Sequence, residues 1–174
     1  MTDIAILRIS AYSLVKNEGT GQYEYKENID FDGHVEIDGD LGWVKFAAGI
    51  RATGHIWSEA GSGIKAGSGI KAGEGIEAGS GIKAGSGIKA GWGIEAGEGI
   101  EAGSGIKAGS GIKAGWGIKA GEGIITWYRG GIAAKWIIAL RVAVGFHLKN
   151  DEIQIIKADL RESTPVILGN VEAS

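Results

Sequence analysis

Gly61-Ser62-Gly63-Ile64-Lys65-Ala66 opens a run of eleven six-residue units that closes at Gly121-Glu122-Gly123-Ile124-Ile125-Thr126. Every unit has the form Gly-x-Gly-Ile-x-Ala until the last one drifts. Ile64, Ile70, Ile76, Ile82, Ile88, Ile94, Ile100, Ile106, Ile112, Ile118 and Ile124 each follow the previous one by six positions. An amphipathic helix needs apolar spacing near 3.6, so a strict period of about six with two glycines per unit excludes it. Collagen needs glycine at every third position and abundant proline. Here the fourth column is isoleucine, and the whole chain holds a single proline.

A fixed short period with one large apolar residue per unit is the mark of a solenoid, in which each unit buries its apolar face against the next. In an extended Ile-x-Ala triplet the side chains alternate, so Ile and Ala point to one side and x to the other. Ile and Ala are invariant and are expected inside. The x column is Lys or Glu until Ile125 and is expected in water. Gly-x-Gly is then a corner, where glycine supplies either a positive φ or room for close backbone approach. The eleven isoleucines form the expected structural core. The fold class expected is all-β: a single-stranded β-solenoid, or β-helix, of hexad repeats with a β-rich cap at each end.

Two coil lengths remain open. In the tip column Glu74, Glu98 and Glu122 recur every 24 residues, as do Trp92 and Trp116, which two coils of 12 would produce. A 12-residue coil also alternates charge along Lys65, Glu77, Lys89, Glu101 and Lys113, and opposite charges on neighbouring strands stabilise. A three-sided coil of 18 stacks Lys71, Lys89 and Lys107 on one another, but it is the commoner hexad architecture. The electrostatics favour 12.

The isoleucine phase runs outward on both sides. Ile50 and Ile56 are six apart, then eight separate Ile56 from Ile64; after Ile124 the steps are eight to Ile132 and six to Ile138. The flanks therefore read as degenerate rungs joined through two-residue insertions. The organisation expected is an N-terminal β-rich cap over 1–48, a solenoid over 49–144 with regular hexads at 61–126, and a C-terminal β-hairpin cap over 145–174. Asp30, Asp32, Asp38 and Asp40 lie near glycines and read as turn carboxylates, because they do not follow the EF-hand spacing.

Composition narrows the function classes. Lys and Arg number 18 against 21 Asp and Glu, a formal charge of −3, which argues against a strongly basic nucleic-acid binder. With no cysteine there is neither a disulfide framework nor a thiolate metal site, and the three histidines, His34, His55 and His147, are far apart in sequence. No apolar run reaches the roughly 20 residues of a membrane span, and Met1-Thr2-Asp3 lacks the basic start of a secretory signal. A cytoplasmic protein that needs no metal or cofactor is expected. Gly-x-Gly is periodic here and is followed by neither Lys-Ser/Thr nor a helix, so it is not a phosphate loop. The repeat serines are interchangeable turn residues, and no catalytic residue is assigned.

The exposed tips carry the functional expectation. Trp92 and Trp116 replace Ser at a corner that should face solvent, and Trp, Tyr and Arg dominate binding hot spots. With 12-residue coils they share one edge, about 10 Å apart. Trp127, Tyr128 and Arg129 follow the last hexads and extend that patch. Lys107, Lys113 and Lys119 occupy three successive x positions without a Glu; a lysine row beside Trp could stack a single nucleic-acid strand, a disfavoured alternative. These eight residues are the candidate partner-binding set.

Three resemblances add expectations. The Ile-x-Ala-Gly-x-Gly hexads resemble left-handed β-helix repeats, a family that includes acyltransferases. The small inward position that this family keeps four residues after the aliphatic is here Ser, Glu or Trp, and no catalytic His or coenzyme A signature carries over. Val35–Ala52, with Ile37-Asp38-Gly39-Asp40, resembles bactofilin-type β-helices, which polymerise by end stacking. The Gly-Ile-Lys/Glu-Ala-Gly repeat, about 40% of the chain, is similar to repeats of phage and prophage proteins, some of which are tied to inhibition of CRISPR-Cas. The resemblance implies a non-enzymatic inhibitor acting in a bacterial host's cytoplasm on a protein partner, with a CRISPR-Cas effector as the candidate. The alternatives are a structural subunit that forms homo-oligomers end to end or in a virion, and a hexad-repeat acyltransferase.

Overall fold

Ile-x-Ala forms a strand and Gly-x-Gly a corner along the repeat tract of the computed structural model, which describes residues 4–127, 131–144, 155–160, 166–168 and 170–172; the strands Ser62–Ala66, Gly117–Ala120 and Gly123–Thr126 reach back into the corner. Consecutive strands do not pair with each other. Ile70 lies beside Ile88, Ile88 beside Ile106 and Ile106 beside Ile124, always in parallel. Three hexads therefore make one coil, and the chain is a single-stranded β-solenoid of about six turns with three faces.

The first face stacks Ile6–Ile9, His34–Ile37, Ile56–Ser58, Ile76–Ala78, Ile94–Ala96 and Ile112–Ala114. The second stacks Tyr23–Tyr25, Gly42–Phe46, Ser62–Ala66, Ile82–Ala84, Ile100–Ala102 and Gly117–Ala120. The third stacks Ile29–Phe31, Ile50–Ala52, Ile70–Ala72, Ile88–Ala90, Ile106–Ala108 and Gly123–Thr126. The longer strand Ile132–Ile138 turns a corner, pairing with Ile112 at its start and with Ile118 near its end, so it joins the first two faces.

Of the two coil lengths left open the structure takes 18, against the electrostatic leaning to 12. The lysines that argued against 18 do stack, Lys71 beside Lys89 and Lys89 beside Lys107. Their side chains stand in water, where like-charge neighbours cost only a few tenths of a kcal/mol. Each buried isoleucine contributes about 1.5–3 kcal/mol, so closure of the interior outweighs the surface charges. The register also pairs charges where it can: Lys83 Nζ donates to Glu101 at 2.8 Å, and Lys113 hydrogen-bonds Glu95. That bond raises the pKa of Lys113, with the nearby charges of Glu95 and Glu77 adding to it. The 24-residue recurrence of Glu and Trp tips does not follow the coil.

Inside, the eleven repeat isoleucines are at most 1% exposed, and the alanines that alternate with them are buried as well. The two glycines of each corner do different work. Neither needs a positive φ, which among the hexad glycines occurs only at Gly61 (75°), in the wider corner that absorbs the insertion before Ile64. A Cβ on the first glycine, as at Gly91, would fall on the carbonyl oxygen of Gly73 in the preceding coil. A Cβ on the second, as at Gly93, would meet nothing closer than the Gly111 oxygen at 3.3 Å. The first glycine is demanded by coil-to-coil packing; the second leaves open space outside.

Parallel pairing continues below the repeats, Ile29 with Ile50, Val35 with Ile56 and Ile6 with His34, with longer coils at wider corners. Arg51 pairs with Asp30 at 3.0 Å and Thr53 donates to Asp32 at 2.8 Å; Asp32 ties neighbouring corners together, whereas Asp30, expected in a turn, is the outward residue of the strand Ile29–Phe31. Arg8 donates to Glu36 at 2.9 Å, which raises the arginine's pKa, and Lys45 donates to Glu24 at 3.1 Å, which lowers that carboxyl's. At the other end Ile155–Leu160 runs parallel to Ile132–Ile138, and Val166–Leu168 parallel to Arg141–Ala143. The expected C-terminal hairpin is therefore corrected: the described strands there extend the parallel ladders, because a strand one coil further on finds unpaired N–H and C=O groups at the open rung.

Among the described residues, one buried side-chain polar atom has no partner. Ser58 takes the place of the inward alanine, and its Oγ is buried without a hydrogen bond. An unmet buried hydroxyl costs on the order of 1–3 kcal/mol. Ser58→Ala, which restores the repeat residue, is expected to stabilise the protein by about 1 kcal/mol in chemical denaturation; a loss of stability would show that the hydroxyl is satisfied.

Candidate binding trough

The second glycines of successive coils align. On the first face Gly75, Gly93 and Gly111 lie in one column beside Ile76, Ile94 and Ile112, and Gly131 extends it. With no side chains there, the column becomes the floor of a trough of about 940 Å³ that runs along the rod. Corner tips form one wall: Glu74, Trp92 and Ser110, each backbone N–H donating to the carbonyl one coil below. The outward residues of the strands form the other: Trp57, Glu77, Glu95 and Lys113, in register on consecutive coils.

Histidines close one end, because His34 and His55 occupy the column that becomes glycine at Gly75. Their rings stack at 3.9 Å with an interplanar angle of 18°. The backbone N–H of His55 donates to His34 Nδ1 at 2.9 Å. Glu74 Oε2 lies 3.8 Å from His34 Nδ1 and 3.9 Å from His55 Nδ1, and Glu36 Oε1 lies 3.9 Å from His55 Nε2. One ligand-type atom each of His34, His55 and Glu74 fall within 4.8 Å of one another. A shared ion would have to lie close to both ring planes. Nearly parallel rings stacked this closely offer no such point, and His34 Nδ1 is already an acceptor. The arrangement suits a polar end wall better than a metal centre.

Trp92, in the wall beside this floor, is 64% exposed. Trp116 is equally exposed, but it sits at the corner between the first and second faces, where Lys135 Nζ lies 4.5 Å from the centre of its ring. The two tryptophans do not share an edge, which corrects that expectation: 24 residues is one coil plus one side. Trp127 lies on the corner that bears Trp92, its N–H donating to the Ala108 oxygen at 3.1 Å. Tyr128 and Arg129 lie outside the described residues.

The lysine row dissolves for the same reason. Lys107, Lys113 and Lys119 fall on the third, first and second faces in turn, since successive hexads are successive sides. A single nucleic-acid strand cannot follow them. The real lysine ladder is Lys71, Lys89 and Lys107 on the third face, with Arg51 below it. The corresponding hollow on the second face is smaller, about 450 Å³, and its glycine floor is covered by Trp43 at Gly81 and by Trp136 at Gly117.

No protein family, curated protein or solved structure matches the chain. The chemistry of the trough carries the reading without a relative to lend one. Trp57, Glu74, Glu77 and the two histidines were not singled out from sequence as one site, since their proximity depends on coil steps of about 20 that a six-residue period conceals.

Proposed function

We propose that the protein is a non-enzymatic binding rod that seats an extended segment of a protein partner in the trough of the first face. The observation that carries this is Trp92: a large exposed indole beside a floor of glycines, on a backbone pinned from both neighbouring coils. Exposed tryptophan is costly to leave in water and is a common centre of binding energy. Four coils at about 4.8 Å span some 14 Å, the length of about four extended residues. Carboxylates on both walls favour Lys or Arg on that segment, and an indole face holds such cations.

The likeness of the repeat to phage and prophage proteins makes a CRISPR-Cas effector in a bacterial cytoplasm the first partner to try. Purified effector complexes would be titrated against the immobilised protein. The double variant Trp92→Ala with Glu77→Lys is expected to bind about thirtyfold more weakly, a loss of about 2 kcal/mol at a hot spot. Lys119→Ala, on the second face, should bind as the wild type does. Equal affinity of the double variant would contradict the trough as the binding site.

A further inference from the structure

The third face holds a feature that nothing within the chain balances. Arg51 is paired with Asp30, but Lys71, Lys89 and Lys107 have no carboxylate within 4 Å among the described residues. They stand on three consecutive coils, with Arg51 beside Lys71 at one end and Ile125 beside Lys107 at the other. On the first face Glu77 is likewise without a cation within that distance, beside Glu95 and below Trp92.

We propose that the partner of the first face is a second copy of this chain, seated by its third face. The inference rests on the first face being a binding face and names what binds there. Its basis is complementarity rung by rung. Within one coil, Glu36 of the first face is level with Arg51 of the third, and Trp57 with Lys71. Glu77 is level with Lys89, and Glu95 with Lys107. At the base Arg8 is level with Asp30, the signs now exchanged. Two copies lying side by side in the same direction thus bring opposite charges, or a cation and an indole, together on five successive coils. Because both surfaces share the rise of one rod, the match does not drift along the contact, whereas a foreign chain would have to reproduce that spacing.

The second face matches less far. Set level with the first, it brings Glu24 to Arg8, Lys45 to Glu36, Lys65 to Trp57 and Lys83 to Glu77, but it opposes Glu95 with Glu101 and Lys113 with Lys119, and like charges so placed repel. A contact between the first face of one copy and the third of the next is heterologous, so each added copy leaves one trough free. Growth passes beyond a dimer unless the rotation closes a ring.

Sedimentation velocity on the full chain tests this. The weight-average mass should at least double with rising concentration at about 0.01 M salt, and should return to that of the monomer near 1 M, where charges are screened within about 3 Å. Lys71→Glu with Lys89→Glu should be monomeric, and so should Glu77→Lys with Glu95→Lys. An equimolar mixture of the two double variants should associate again, since each then offers a surface complementary to the other; that rescue also shows both to be folded. A wild type that stays monomeric at low salt, or oligomers that survive in either variant alone, would overturn the proposal. A monomeric wild type that still loses an effector through Trp92→Ala with Glu77→Lys would overturn self-docking while leaving the trough as a binding site.

Discussion

Gly91→Ala should unfold much of the solenoid at temperatures where Gly93→Ala is still native. The two glycines belong to one corner, and neither has a positive φ. They differ in what lies beyond the missing side chain. At Gly91 an added methyl falls on the Gly73 carbonyl oxygen, and that backbone is held by its own ladder bonds, so nothing can give cheaply. Overpacking of a rigid site typically costs 1–3 kcal/mol, and backbone pressed on backbone belongs at or beyond the top of that range, about 3 kcal/mol. At Gly93 the nearest atoms are 3.3 and 3.5 Å away, a shift of a few tenths of an ångström. The entropy that alanine removes from the unfolded chain, worth about 0.4–1 kcal/mol, offsets most of that strain. Gly93→Ala should therefore be nearly neutral for stability, yet it places a methyl on the trough floor and should weaken binding there. Denaturant titration of both variants checks the first point. Equal losses would mean that the corners are not stacked as described.

Ile94→Ala should cost about 2–5 kcal/mol, the range for emptying a large aliphatic site in a packed core. Ile94 is 1% exposed, with Ile76 and Ile112 directly beside it on the neighbouring coils. Hydrogen-bonded strands wall the interior on three sides, so it has little freedom to collapse into the gap. In a solenoid each coil is stabilised by its neighbours alone. A central lesion should therefore also uncouple the two halves, seen as a shallower denaturation slope as well as an earlier midpoint. Lys89→Ala, on an outward position, should change the midpoint little. A loss below about 1 kcal/mol for Ile94→Ala would contradict a continuous isoleucine spine.

The spine itself was legible from sequence, because a strict alternation of invariant apolar and variable charged residues has only one sensible inside. Coil length was not. With a period of six, coils of 12, 18 and 24 all bury the same isoleucines and alanines, so the interior cannot choose among them. Only the tips and the outward residues differ, and their mutual energies in water are small. What was drawn from a 12-residue coil did not hold: Trp92 and Trp116 stand at different corners, and Lys107, Lys113 and Lys119, neighbours in the hexad count, stand on three different faces. The trough needed a second piece of knowledge, that one glycine of each pair is packed and the other open. His34 and His55 were concealed further by the longer coils of the flank, where 21 residues, not 18, bring one ring over the other.

The absence of cysteine from the native chain allows a direct measurement of the coil. In dilute monomer, cysteines replacing Lys71 and Lys89 should form an intramolecular disulfide under mild oxidation, since parallel neighbours about 4.8 Å apart on one face suit that bond. Cysteines replacing Lys71 and Lys83, twelve residues apart, should remain free thiols because they lie on different faces. Bridging of the second pair and not the first would contradict the three-sided coil, and with it the trough and the charge match built upon it.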